Sequence, residues 1–218
     1  QRALNAVLTH IPGTRPPLDT THRWHALMEF VQDDPAQSSP GELAMHLLED
    51  AIADNLLENA TIASSDVQAE AFWKIRDSIA EAERAAGAAL QHDISVPVAA
   101  MARFIEQESP RIEADYPGTK TVAFGHLGDG NIHFHVKAPD GVDVTTWYAS
   151  DGKAITSHVY DRVRAYGGSL SAEHGIGQSK IDEFARLAEP ARLSALRAIK
   201  SAFDPLGIMN PGKLVPLA

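Results

Sequence analysis

The stretch Thr121–Val136, TVAFGHLGDGNIHFHV, decides how this chain is read. Two runs of strand character, Thr121–Leu127 and Ile132–Val136, flank the turn residues GDGN, the pattern of a β-hairpin. Asp129-Gly130 at the centre of a two-residue type I′ turn predicts that Gly128 faces Asn131, Leu127 faces Ile132 and His126 faces His133. Directly opposed residues share a sheet face with Cβ atoms about 5 Å apart, and period two adds Phe124 and His135 to that face. Two imidazoles so placed can share a divalent cation through nitrogen–metal bonds of about 2.0–2.1 Å. The competing reading is that these are ordinary polar residues on an ordinary turn, as a lone strand histidine usually is. GDGN lacks the spaced acids and closing Glu of an EF-hand, and the chain has no Gly-Lys-Ser/Thr of a phosphate loop.

Outward from the hairpin, strands and helices alternate. Residues 1–22 read as a short helix and a Pro-rich loop, His22–Phe30 as a strand, and Asp33–Pro40 as a turn. Pro40-Gly41-Glu42 opens a helix with Leu43, Leu47, Ile52 and Leu56 at apolar spacing. Ala60–Ala63 suggests a short strand. Ser65 then caps a long helix from Val67 to about Ala86, stopped by Gly87. Ala89–Val96 reads as a strand, and Pro97 starts a helix to about Tyr116. After the hairpin come a helix near Ala149–Ala165, a Gly167-Gly168 break, a strand at Ser169–Ala172, and helices at Lys180–Leu187 and Pro190–Phe203. A hairpin inside this alternation predicts an α+β fold, a mainly antiparallel sheet covered by helices, in one domain spanning residues 1–218.

Composition narrows the function classes. The 218 residues suffice to bury a core, and 44% are hydrophobic and 22% charged, ordinary values for a globular chain. A formal charge of −10 argues against binding nucleic acid or an anionic membrane. Without cysteine there is no disulfide framework, thiolate metal site or cysteine nucleophile, which fits a reducing, cytoplasmic compartment. No apolar run approaches the roughly 18 residues of a membrane span, and the start lacks a signal peptide's pattern. The chain opens without an initiator methionine, inside what reads as a helix, so a fragment of a longer protein is expected.

A third ligand for the histidine pair has its best candidates in Ser169–Gly177, SLSAEHGIG, where Glu173 and His174 are adjacent between glycines. Neighbouring strand residues point to opposite faces, so both serve one site only if the chain bends there. Two histidines and a carboxylate would leave coordination positions open, as catalytic metals need. The alternative is a Glu-His pair that merely caps the glycine loop before Lys180.

Five ordered blocks carry a resemblance: WKIRD (Trp73–Asp77), HDISVP (His92–Pro97), GHLGDGNIHFHV, SLSAEHGIGQSK and FDPLGIMNPGKL (Phe203–Leu214). Together they resemble the C-terminal domain of FAD-linked oxidases of the D-2-hydroxyacid dehydrogenase family, flavoproteins of the vanillyl-alcohol-oxidase type. The resemblance implies a cap and substrate domain with ferredoxin-like elements, whose N-terminal FAD-binding partner domain is absent from this chain. It implies a divalent metal, usually zinc, on His126, His133 and Glu173, with His174 as catalytic base. It implies that Arg76 pairs a substrate carboxylate, that Gln91, Asn131 and His135 line the substrate pocket, and that Asn210 and Lys213 of the NPGK tail approach the flavin. Arg76 also reads as a helix-surface arginine among acidic neighbours, and NPGK as a Pro-Gly turn.

The implied reaction oxidises a 2-hydroxy acid to a 2-oxo acid with hydride transfer to FAD. Ala80, Gln91 and His135 stand where hydroxyglutarate-type members commonly carry threonine, lysine and asparagine, so a lactate-like or larger uncharged 2-hydroxy acid is expected. The electron acceptor is open, and a homodimer is compatible. Two other classes fit the same residues: a stand-alone metal-dependent hydrolase on the same ligands, and a non-catalytic binding module on the same scaffold.

Overall fold

In the computed structural model, residues 1–34 and 39–215 are described, and they divide into two compact units, Gln1–Ala86 and Gly87–Ala218. Part of the turn expected at Asp33–Pro40 lies outside the described residues. The first unit contains α1 (Arg2–His10), α2 (Pro40–Ala53), α3 (Asp66–Asp77) and α4 (Ile79–Ala85). Packing of α1 on α4 buries Val7, Ile79 and Ala82. Ser39 and Glu42 cap α2 reciprocally, each side chain on the other's amide at 3.3 and 3.1 Å. Ser65 caps α3 by accepting from the Gln68 amide.

Three expectations fail in this unit. The long helix breaks at Ser78, which ends α3 through its bond to Lys74 and begins α4 by accepting from Ala82. His22–Phe30 and Ala60–Ala63 have strand-like side chains but enter no ladder. A strand exists only as one side of a pairing, and no described segment supplies the other side.

The second unit builds the sheet. Its elements are β1 (Ala89–Ser95), a 3-10 turn (Val98–Ala100), α5 (Met101–Asp115), β2 (Lys120–His126), β3 (Asn131–Lys137), α6 (Val144–Ala149), α7 (Asp151–Ala165), α8 (Ile181–Leu187) and α9 (Pro190–Phe203). The strands lie in the order β1-β3-β2, all antiparallel, so the expected α+β architecture is the one observed. Pro97 precedes a 3-10 turn rather than opening the helix directly. The helix expected near Ala149–Ala165 is α7, and a separate short helix, α6, precedes it across a break at Ser150.

Alternation along the strands sends Ile94, Ile132, Phe134 and Val136 to one face. They pack with Phe104 and Ile112 of α5 and Ile155, Val159 and Val163 of α7 in a continuous buried cluster. Glu108 of α5, only 1% exposed, is matched by Arg111 and by Arg162 of α7, each at 3.1 Å, which ties the two covering helices together.

The hairpin forms with a different register. His126 pairs with Asn131, Gly125 with Ile132 and Phe124 with His133, leaving Leu127 to Gly130 as the loop. Asp129 accepts a hydrogen bond from the Asn131 amide at 2.9 Å, an Asx turn that uses both residues differently from a two-residue I′ turn. Gly130 has φ +78°, and a Cβ there would lie 2.0 Å from the Val96 carbonyl, so glycine is required. The shift is by two residues, so every side chain keeps its predicted face.

Candidate metal and substrate site

The second face of the sheet holds the chemistry. Phe124 and His126 of β2, Asn131, His133 and His135 of β3, and Gln91, Asp93 and Ser95 of β1 share it by register. His126 ends β2 exposed, and two positions into β3 His133 stacks on Phe124 with ring centroids 5.0 Å apart. His135 lies deeper, 6% exposed, with its ring edge-on to Phe124 at 5.2 Å.

Glu173 and His174 arrive on a loop that the sheet holds from below. The expected strand at Ser169–Ala172 reduces to one antiparallel bridge, Ser95 with Ser169. A Cβ on Gly168 would lie 2.1 Å from the Ser95 carbonyl, so that approach needs glycine. Beyond the bridge, serine hydroxyls take backbone acceptors: Ser169 donates to the Ser171 carbonyl at 2.9 Å and Ser171 to that of Gly175 at 2.8 Å. This local bonding competes with a ladder and turns the chain.

Asp93 is the anchor. It is 5% exposed, lies opposite His133 on β1, and its carboxylate accepts from the Glu173 amide at 3.1 Å and the His174 amide at 2.9 Å. Burial pushes its pKa up, but the two amides and the nearby Lys180 and His174 outweigh that and hold it below the usual carboxylate range. Lys180 Nζ donates to the Asp93 carbonyl at 3.3 Å and to Ser171 Oγ at 3.0 Å, closing the loop's far end.

This loop resolves the puzzle of two adjacent candidates. With no strand geometry past Ser169, Glu173 turns toward the histidines and His174 toward Asp93. His126, His133 and Glu173 each offer a ligand atom within 4.8 Å of the other two. Tetrahedral bonds of about 2.0–2.1 Å set ligand atoms about 3.4 Å apart, so small side-chain rotations close the set on an ion. Asn131 Nδ2 donates to Glu173 Oε1, fixing the carboxylate from behind as outer groups of metal sites do. His174 is 68% exposed at its side chain, with Nδ1 3.4 Å from Asp93 Oδ2. Its ring centroid is 6.4 Å from that of His133.

The remaining candidates fall on other elements. Gln91 is exposed beside His135 on β1. Asn210 takes φ +46° in the C-terminal tail, and the Lys213 ammonium bonds Gln178 Oε1. Arg76 belongs to the last turn of α3, in the first unit. Asp93 and Lys180 were not singled out from the sequence as site residues. The only signal for Asp93 is its place in HDISVP, where period two puts it on the face of the histidines once β1 pairs with β3.

The fold and this side-chain set define a candidate metal centre of the two-histidine, one-carboxylate kind on an α+β domain. The family described as "FAD linked oxidases, C-terminal domain" matches residues 1–214, and the chain belongs to it. It is 33% identical over 200 residues to a D-2-hydroxyglutarate dehydrogenase of Stutzerimonas stutzeri, covering 91% of this chain and 42% of that protein. A D-2-hydroxyglutarate dehydrogenase of Xanthomonas citri is 33% identical over 213 residues, 98% of this chain and 44% of the relative. A mitochondrial D-2-hydroxyglutarate dehydrogenase of Arabidopsis thaliana is 31% identical over 214 residues, 98% of this chain and 36% of the relative. The chain thus spans less than half the length of these relatives. No described helix is long and apolar enough to cross a membrane.

Proposed function

We propose that this chain is the substrate- and metal-binding domain of an FAD-dependent D-2-hydroxyacid dehydrogenase, which oxidises a 2-hydroxy acid to the 2-oxo acid. The observation that carries the reading is the convergence of His126, His133 and Glu173 within 4.8 Å beside the His174–Asp93 pair. Two neutral imidazoles and one carboxylate suit zinc and leave positions for the hydroxyl and one carboxylate oxygen of the substrate. When bound, the cation supplies polarisation of the 2-hydroxyl and the flavin supplies the acceptor for the hydride from C2.

The chain's own residues do the rest. Asn131 orients Glu173, and Asp93 holds the Glu173–His174 backbone in place. Asp93 beside Nδ1 favours the tautomer with its proton there, which leaves Nε2 of His174 free to take the hydroxyl proton. Gln91 and His135 are assigned to the substrate's side chain, and Asn210 and Lys213 to the flavin side. The absence of cysteine is compatible with a cytoplasmic location.

Metal analysis tests the reading. The purified chain dialysed against zinc is expected to retain one ion per chain, and His126→Ala to lose it. A chain that binds no divalent ion, alone or joined to its flavin domain, sinks the metal-dependent mechanism. Turnover of D-2-hydroxy acids by the flavin-carrying polypeptide, abolished by His174→Ala, completes the test.

A further inference from the structure

The first unit carries a polar constellation that the metal centre does not use. Residues 17–20 bend after the Pro16-Pro17 pair, and the chain leaves α2 through a turn in which Asn55 takes φ +58°. Between them these two loops bring Thr20, His22, Glu58 and Asn59 into hydrogen-bond contact.

The order of the contacts is what matters. Thr20 Oγ1 lies 2.6 Å from His22 Nε2, and His22 Nδ1 lies 2.6 Å from Glu58 Oε2. An ionised carboxylate only accepts, so in the neutral imidazole Nδ1 carries the proton and donates to Glu58. Nε2 is then the acceptor, and the Thr20 hydroxyl donates to it. A hydroxyl on an imidazole whose tautomer is fixed by a carboxylate is the arrangement that activates an oxygen nucleophile. The His22 side chain is 12% exposed, whereas Thr20 is exposed, so the base is sheltered and the hydroxyl it serves is within reach of a substrate.

Asn59 adds a fourth group. Its Nδ2 donates to Thr20 Oγ1 at 3.2 Å and to Asp19 Oδ1 at 3.4 Å. Its Oδ1 accepts from the Ala60 amide at 2.8 Å, which fixes the end of the side chain that meets Thr20. An amide donor beside the attacking oxygen can serve the oxyanion that forms there, a contribution of about 10²–10³ in rate. Trp24 and Leu56, each two residues along the chain from a member of the set, are exposed apolar side chains that suit a hydrophobic acyl group.

We propose that Thr20, His22, Glu58 and Asn59 form an acyl-transfer site that hydrolyses carboxylic esters of apolar acids through an acyl group on Thr20. The site is independent of the dehydrogenase reading. Thr20 Oγ1 bonds to the ester carbonyl carbon while its proton passes to His22 Nε2. The oxyanion beside Asn59 Nδ2 collapses, the bond to the alkoxy oxygen breaks, and His22 gives its proton to the departing alcohol. Water then attacks the acyl carbon and yields a proton to His22, and the Thr20 oxygen leaves with that proton. The sum is ester and water to acid and alcohol, with no change of oxidation state. Glu58 acts through His22 and is a positioning residue.

p-Nitrophenyl butyrate is the probe, mixed with the full 218-residue chain in chelator so that no cation at the outer face of the sheet takes part. An activated ester acylates faster than the acyl group leaves, so nitrophenolate appears in a burst and the intermediate accumulates. Peptide mass spectrometry of the acid-quenched chain is expected to find the butyryl group on Thr20. Thr20→Val and His22→Gln, with unchanged melting temperatures, each lower the burst rate about a hundredfold or more. Thr20→Ser keeps both burst and adduct. Glu58→Gln slows the burst while the adduct stays at position 20, and Glu58→Asp restores part of the rate, which a purely structural role would not produce.

No adduct, adducts confined to lysines or to His25, whose ring lies 6.0 Å from that of His22, or a native rate in Thr20→Val each overturns the site. Activity that vanishes in chelator also overturns it, since the reaction then belongs to the metal centre. If Thr20→Val fails to fold, the position of the butyryl group in the native chain and in Thr20→Ser decides.

Discussion

The two faces of the three-stranded sheet are built from the same strands by alternate residues, yet they obey different rules. On the inner face Ile132, Phe134 and Val136 are each fully buried under α5 and α7, and shape decides what fits. On the outer face Asn131 and His133 meet side chains from a loop some forty residues away, and directed hydrogen bonds decide the arrangement. One face therefore stores folding free energy, and the other stores geometry for a ligand. Substitutions that cross this divide should separate stability from metal binding.

The largest effect on folding belongs to the inner face. Phe134→Ala leaves a cavity against Phe104, whose ring lies 5.6 Å away, and should cost about 3–5 kcal/mol in urea unfolding. His133→Ala, one residue earlier, should cost about 1 kcal/mol or less while abolishing zinc retention. Equal stability losses at the two positions would dissolve the distinction between the faces.

His92 sharpens the comparison, being a titratable group on the apolar side. Its folded pKa of about 4 lies below the 6.5 of an ordinary imidazole, so between these values the unfolded chain binds more protons. Stability is then full above pH 6.5 and falls by about 3 kcal/mol as the pH drops toward 4. His92→Gln should flatten the stability profile across that window. Asp93 on the other face also has a lowered pKa, so its contribution is retained above the usual carboxylate range and lost at lower pH.

What the residues disclosed in advance follows the same divide. Period two assigns a face to every residue of β2 and β3, and that assignment survives a register error because the error is even. The register itself was hidden, because it depends on whether Asp129 occupies a turn position or accepts from the Asn131 amide. His22–Phe30 has the right side chains for a strand, but pairing is a property of two segments, and local pattern reports only one. In the site, residue type announced His126, His133, Glu173 and His174. Asp93 stayed hidden because its role consists of bonds to amides eighty residues away in sequence.

A smaller effect tests the loop's seat on the sheet. Gly168→Ala forces a Cβ against the Ser95 carbonyl, 2.1 Å away, at the bridge that leads to Glu173. Overpacking of this kind typically costs about 1–3 kcal/mol, and zinc affinity should fall with it because the loop must shift. Gly175→Ala, open in space but at φ +69°, should cost about 1 kcal/mol through backbone strain alone. Unfolding curves and zinc titrations of the two variants would tell seat from strain.

A small effect on folding and the clearest on geometry is expected at Asn131. It is 1% exposed, its Oδ1 is buried without a hydrogen bond, and Nδ2 holds Glu173 Oε1. Asn131→Ala removes that one side-chain bond while leaving the backbone amide on Asp129, so stability should change by about 1 kcal/mol. The freed carboxylate then loses its fixed orientation, and outer-group substitutions at metal sites typically weaken affinity about 10–100-fold. Zinc competition with a chromophoric chelator measures this directly. An unchanged affinity would mean that Glu173 finds the metal without guidance, and that the outer face is less pre-arranged than the inner one.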